Sequence, residues 1–343
     1  MREGDNPNKS KTDLNFNYTH QVIIPVFIPN EEGYFKDAFT IFKLCIQSLI
    51  NTSHKQTYIS IINNGSCPIV TNYLDDLFLN KQIQEIIHTA NIGKINAILK
   101  GLVGIDIELV TISDQDILFQ KEWQSETLSV FNNFSKAGVV GLIPMLELYR
   151  NNSENCILDF LFSKKMNLEN IKEVQSMRMF YDSIWGYQKY DENFFKKILV
   201  VNSNNKNVAI VGSGHLVATY KRTIFNSLPS TLSKDLLSAQ SEMKFLDLPP
   251  SQLGYYRLTT ANNYAFHMGN KFEDWMVNYL PSKDKNAKQI LLSDSNHYFN
   301  LNLSKKIIHK LKRQFVKRIV FSGIFYKLFL IQKGVEVKNI KSL

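Results

Sequence analysis

The chain has 343 residues, 44% of them hydrophobic and 21% charged, with 40 Lys+Arg against 31 Asp+Glu for a net charge of +9. At about 150 residues per domain this suits two domains or one large α/β domain with additions, and the composition excludes a disordered, collagenous or disulfide-scaffold protein. Cys45, Cys67 and Cys156 form no CxxC pair, which suits a reducing compartment and gives no zinc signature. The polar first nineteen residues, read as a flexible N-terminus, lack the apolar core of a signal peptide. No apolar run approaches the length of about 18 residues that spans a bilayer.

From His20 the run QVIIPVFIP reads as a strand buried on both faces. Phe35, Phe39, Phe42, Ile46, Leu49 and Ile50 then fall on one face of a helix. Residues 57–66 read as a second strand, with a short helix after it. IQEIIH reads as a strand edge, NIGKINAILKGLVGI as a helix and ELVTISDQD as a strand ending in acid. Strand and helix alternating in this way imply a mainly parallel sheet with flanking crossover helices. Two more strands are expected at 138–145 and 207–220, and the polar, aromatic stretch 150–206 between them reads as an insertion over one sheet edge.

Charge is not evenly spread. From Ser304 onward eleven Lys and Arg face Glu336 alone, so the last forty residues carry +10 and the other 303 carry −1. Treated as a helix, 304–320 gathers Ile307, Ile308, Leu311, Phe315 and Ile319 within about 120°, with Lys306, Lys310, Arg313 and Lys317 on the opposite arc. A basic amphipathic helix of this kind suits the surface of an anionic membrane. Docking of its apolar side on the rest of the chain, or pairing with another chain, is the other reading. A nucleic-acid partner is not expected, because such binders spread basic charge over the whole domain.

In open α/β sheets ligands sit at the carboxyl ends of strands. Three such ends are polar here: Asn63 to Ser66, Asn91 to Lys94, and Asp114-Gln115-Asp116. Two carboxylates one residue apart, leaving an apolar strand, can hold a hard divalent cation together with phosphate oxygens, or can simply form a solvated turn. Lys94, opening a helix, either reaches a phosphate or is surface charge.

The order IIPVF, NNGS, NIGKINA and DQD resembles the family 2 glycosyltransferases of the GT-A fold, and Asp-Gln-Asp resembles their rhamnosyltransferase-like branch. The resemblance implies a Rossmann-like mixed sheet over 20–270, with the 150–206 insertion on the acceptor side and 271–343 as a C-terminal extension. It implies base or ribose contacts from Pro25, Phe27 and Asn64, nucleotide-sugar contacts from Asn91 and Lys94, ribose binding by Asp114, and a metal on Asp116. Downstream, Glu242, Gly254, His267 and Gly269 stand at the spacings of that family's Glu-Asp, Gly and His-x-Gly positions. His267 is thereby implied as a second metal ligand, a mixed set that favours Mn over Mg. Gly214 and His215 are placed on the acceptor side, and Trp185 there stacks on an acceptor sugar or packs the insertion.

Two departures stand out. Met243 occupies the position of the Asp that usually serves as general base, so the proton falls to Glu242, to Asp247 one turn on, or to neither. Asn63 and Asn64 replace two acids in the base-binding turn, which removes charge and keeps hydrogen-bonding capacity. The expected protein is an inverting, divalent-cation-dependent enzyme of the cytoplasm, peripheral on the inner face of the membrane. It would move a sugar from a nucleoside-diphosphate donor to a hydroxyl of a glycan or lipid-linked glycan in cell-surface polysaccharide synthesis. A catalytically silent sugar-nucleotide or glycan-binding relative is the alternative.

Overall fold

A computed structural model describes residues 17–185, 197–228, 232–285 and 303–334, with Gly4, Ala287, Leu291 and Leu292. The expected flexible N-terminus therefore lies outside the described residues up to residue 16, apart from Gly4. So do residues 186–196 of the insertion and 335–343 of the tail.

The chain is a mixed α/β protein built on a ten-stranded sheet. In chain order the strands are β1 (His20–Val26), β2 (Thr57–Asn64), β3 (Glu85–Thr89), β4 (Leu109–Ser113), β5 (Ile117–Phe119) and β6 (Ala137–Gly141). They continue with β7 (Met166–Asn170), β8 (Lys197–Asn202), β9 (Val208–Val211), β10 (Val217–Lys221), β11 (Tyr256–Thr260) and β12 (Ala265–His267). The large sheet runs β3-β2-β1-β4-β10-β6-β11-β9-β8-β7, while β5 and β12 pair separately. β1 to β4 are mutually parallel, β10 enters antiparallel between β4 and β6, and β6 runs parallel to β11. Residues 150–206 contribute β7 and β8, which extend the sheet at the edge beyond β9.

The alternation of strand side chains explains the layering. Val22, Ile24 and Val26 of β1 join one core with the Ala38–Thr52 helix, while Ile23 joins a second core with Ile95 and Ile98 of the Lys94–Gly101 helix. The stretch 207–220, expected as one strand, is two strands that are not neighbours. Gly212, at φ +103° and pressed against Leu148, breaks it, so that β9 pairs with β8 and β11 while β10 pairs with β4 and β6. That break delivers His215 to the end of β4, where Asp114 N donates to Leu216 O at 2.8 Å.

The tail forms helices at Leu303–Phe315 and Gly323–Gln332 joined by a π-helical turn at Val316–Val320. It is part of the fold. Val316, Val320, Phe329 and Leu330 are buried in a third core with Phe131, Cys156 and Ile157. The docked side carries His309, Arg313, Val316 and Val320, whereas the stripe Ile307, Ile308, Leu311, Phe315 and Ile319 remains exposed.

Candidate active site

The ends of β1, β2 and β4 and the start of β10 meet at one rim of the sheet, and most of the expected site residues gather there. Pro25 is buried within β1, and Phe27 just beyond is half-buried, its N–H donating to Gln115 Oε1 at 2.9 Å and its ring set edge-on to Phe35. Gln115 thus ties the first strand end to the fourth. Asn64, 3% exposed, donates from Nδ2 to Asn91 Oδ1 and accepts from Ile92 N at 2.8 Å, and Asn91 Oδ1 also accepts from Gly93 N. Both amide side chains are occupied in holding the loop that leads to Lys94. Gly93, at φ +85°, lies so close to Asp235 O that an added Cβ would stand 2.7 Å from it, and Lys94 N donates to Leu236 O. The start of the Lys94–Gly101 helix is therefore covered by the 232–238 segment.

Lys94 is the hub. Its Nζ lies 2.6 Å from Asp114 Oδ1 and 2.6 Å from Glu242 Oε1. Burial alone would drive the proton off Lys94; the charges of Asp114 and Glu242 outweigh burial and push its pKa up instead. Burial pushes the Asp114 carboxyl upward against the pull of Lys94. From Glu242 the chain of charges continues through His215, whose Nε2 is 3.2 Å from Glu242 Oε2 and whose Nδ1 is 3.0 Å from Asp247 Oδ2. It ends at Arg257, 2.6 Å from Asp247 Oδ1. Arg257 is 2% exposed and also donates to Ser213 O. Six residues with alternating sign, Asp114, Lys94, Glu242, His215, Asp247 and Arg257, form one continuous network.

The backbone makes this possible. In an α-helix residues five apart are about 140° out of register, so Glu242 and Asp247 would face different ways. Here Ser238 caps the helix through Ser241 N, and residues Met243–Asp247 form a π-helical turn whose wider i→i+5 repeat brings both carboxylates to His215. Burial opposes the imidazolium, but the Asp247 and Glu242 bonds and charges outweigh it and raise His215 to about 9. Burial likewise opposes both anions, yet His215 and Lys94 bring Glu242 down to about 2, and Arg257 and His215 bring Asp247 to about 2.

Asp116 and His267 are joined by the small second sheet, in which Ile117 pairs with His267. His267 Nε2 lies 3.3 Å from Asp116 Oδ2, and His267 Nδ1 lies 2.7 Å from Ser183 Oγ. Burial opposes protonation of His267, and the Asp116 charge outweighs it, so its pKa is raised. One carboxylate and one imidazole held together, the imidazole oriented through its other nitrogen, could hold a divalent cation only if further ligands came from outside these two side chains. Among the described residues no group of three or more His, Cys, Asp and Glu could hold a metal by itself.

Gly214 follows the β9 break, with Met145 Sδ 2.8 Å from where a Cβ would stand. Trp185 closes the Val174–Trp185 helix, and its side chain lies outside the described residues. Sequence reading passed over Arg257 and Ser183. A lone Arg in the apolar strand run Tyr255 to Thr260 was a usable signal, because a buried guanidinium must be paired.

The model of the family described as "Glycosyl transferase family 2" matches residues 22–194. The chain belongs to glycosyltransferase family 2. No curated protein matches it. Among solved structures it is similar to S. aureus TarS, at 10% identity and a TM-score of 0.43, over 73% of this chain and 36% of that one, so it spans about a third of that chain's length. It is also similar to S. aureus TarS 1-349, at 11% identity and TM-score 0.43 over 94% of this chain and 77% of that one. For S. aureus TarS 1-349 in complex with UDP-GlcNAc the values are 10% and 0.41, over 92% and 79%. In this family 2 member Asp114 and Asp116 leave the carboxyl end of β4 and Lys94 follows that of β3, the position where α/β sheets bind ligands, and Lys94 joins Asp114 to the helical segment that carries Glu242 and Asp247.

Proposed function

We propose that the protein is an inverting glycosyltransferase that moves a sugar from a nucleoside-diphosphate donor to a hydroxyl of a glycan or lipid-linked glycan. The observation that carries this reading is the position of Glu242, an ionised carboxylate one lysine away from Asp114. Glu242 accepts the proton of the acceptor hydroxyl as its oxygen attacks the anomeric carbon from the face opposite the leaving diphosphate. Asp247 serves as a positioning residue instead. Its two oxygens are held by His215 and by the buried Arg257, which is itself anchored to Ser213 O and cannot be drawn away by a substrate. Lys94 differs, since its ammonium can exchange a carboxylate for a diphosphate oxygen. Asp114 takes the ribose, and Pro25 and Phe27 take the base, while Asn64 and Asn91 keep the Lys94 loop in place. His215 and Gly214 line the acceptor side, to which the family resemblance also assigns Trp185.

A divalent cation, Mn or Mg, held by Asp116 and His267 would neutralise charge on the leaving diphosphate. Asp-Gln-Asp at 114–116 supports a place in the rhamnosyltransferase-like branch. The charged tail supports a peripheral location on the cytoplasmic, inner face of a membrane, in cell-surface polysaccharide synthesis. Among the described residues no helix is long and apolar enough to cross a membrane.

A thermal-shift screen of UDP-, GDP- and dTDP-sugars with and without Mn or Mg tests the reading. Stabilisation that needs nucleotide and metal together is expected. Its absence for every donor would contradict the reading, and binding without any transfer would favour a silent binding relative, for which Met243 in the usual base position is the supporting feature.

A further inference from the structure

The tail docks with the wrong face for burial, and that is informative. On a helical wheel at about 100° per residue, His309, Arg313, Val316 and Val320 occupy one side and the stripe Ile307, Ile308, Leu311, Phe315 and Ile319 occupies the other. The first set is buried or half-buried and the second exposed, Leu311 by 65%. The Gly323–Gln332 helix repeats the arrangement, burying Phe329 and Leu330 and exposing Ile324, Phe325, Leu328 and Ile331. Lys333, buried, donates to Phe160 O and Ser163 O, and so ties the second helix to a turn whose Phe162 is 86% exposed. So many large apolar side chains left exposed along one segment call for a partner.

The charges identify the partner. Residues 303–334 hold nine Lys and Arg and no Asp or Glu. On the same wheel Lys305 and Lys312 line one margin of the stripe, Lys310 stands about 60° beyond the other and Arg318 falls within it, where their stems can lie along apolar surface with the charged groups raised into a headgroup layer, while Lys317 turns back to Glu154. Two copies of this face would set like charges together, which disfavours self-pairing. We propose that the exposed sides of both tail helices and Phe162 form one surface that lies in the interface of an anionic lipid bilayer.

The docked side fixes the orientation. Glu154, 1% exposed, meets Lys317 Nζ at 3.1 Å with one oxygen and accepts from Ser251 Oγ at 3.2 Å with the other. Asn155 contacts His309 Nδ1 at 3.4 Å and donates to Ser251 O at 2.8 Å. Ser251 stands nine residues after Glu242 along the same helical segment, about 14 Å at 1.5 Å per residue. The bilayer plane is thereby tied rigidly to the helix that carries Glu242. This consequence deepens the lipid-linked acceptor reading and rests on it, whereas the surface itself does not.

Co-sedimentation of the full chain with vesicles tests the proposal, using phosphatidylcholine alone and phosphatidylcholine with phosphatidylglycerol in equal parts. Binding to the anionic vesicles, weakened by salt, is expected, and L311S/F325S should lower it at least about tenfold with an unchanged melting temperature. F162S should lower it as well. No binding, equal binding to neutral vesicles, or an unaffected L311S/F325S protein would overturn the proposal. A dimer in light scattering that L311S/F325S dissolves would overturn it in favour of a second copy. Nucleotide binding, measured by calorimetry on the same proteins, should be identical for all. A chain that binds anionic vesicles and no nucleotide would refute the transferase reading and leave the surface standing.

Discussion

Replacing His215 by Gln should make the stability of the protein respond differently to pH, and the size of the effect follows from its two carboxylate partners. Held between Glu242 and Asp247, His215 titrates near 9 in the folded chain against 6.5 unfolded. A folded pKa raised in this way contributes stability that is complete below pH 6.5 and is lost as pH rises through 9. The linkage relation gives at most about 3 kcal/mol at pH 6, about 1.4 kcal/mol at pH 8 and close to none at pH 10. Urea denaturation of wild type and His215→Gln at those three values isolates this contribution, because groups titrating elsewhere, such as Lys221 lowered to about 8 by burial, are common to both proteins. The gap between the two stabilities should close as pH rises. A gap constant across this range would refute the imidazolium bridge, and a gap that widens would reverse its sign.

Glu242→Gln should lower turnover by about 10²- to 10⁴-fold while the donor still binds. Asp247→Asn should instead cost stability and a smaller part of turnover, since Arg257 is left with a neutral partner; comparable kinetic losses without destabilisation would move the base to Asp247. Phe329→Ala, in the docked half of the tail, should cost about 3 to 5 kcal/mol by thermal or chemical unfolding. An unchanged melting temperature would mean that the tail does not contribute to the core as its burial indicates.

How much of this was legible in the sequence depends on the range of the interaction. β1 and the Ala38–Thr52 helix could be read because an unbroken apolar run and an apolar period of 3.6 are local properties of the chain. The 207–220 run was misread as one strand because glycine is tolerated within a strand pattern; only contact with Leu148 shows that Gly212 turns the chain. Asp114, Asp116, Glu242 and His267 could be picked out by type and spacing, but their pairing could not. The Glu242–His215–Asp247 bridge needs a π-helical turn, which no residue pattern announces, and Ser183 reaches His267 across 84 positions. In the tail the amphipathic stripe was readable. Its outward direction was not, because the docking face is a mixed row in which Arg313 and His309 accompany two valines. Separating the tail from a free-standing catalytic body by deleting 304–343, which the charge arithmetic alone invites, would also remove Val316, Val320, Phe329 and Leu330 from the core.

In the proposed reaction Asp116 and Glu242 serve one glycosyl transfer between them. The most direct measurement is transfer of labelled sugar from whichever nucleotide sugar stabilises the chain most, by wild type and by Asp116→Asn. Wild type should turn over and Asp116→Asn should not, with the melting temperature of the ligand-free variant unchanged. Turnover by Asp116→Asn at the wild-type rate would contradict that role for Asp116.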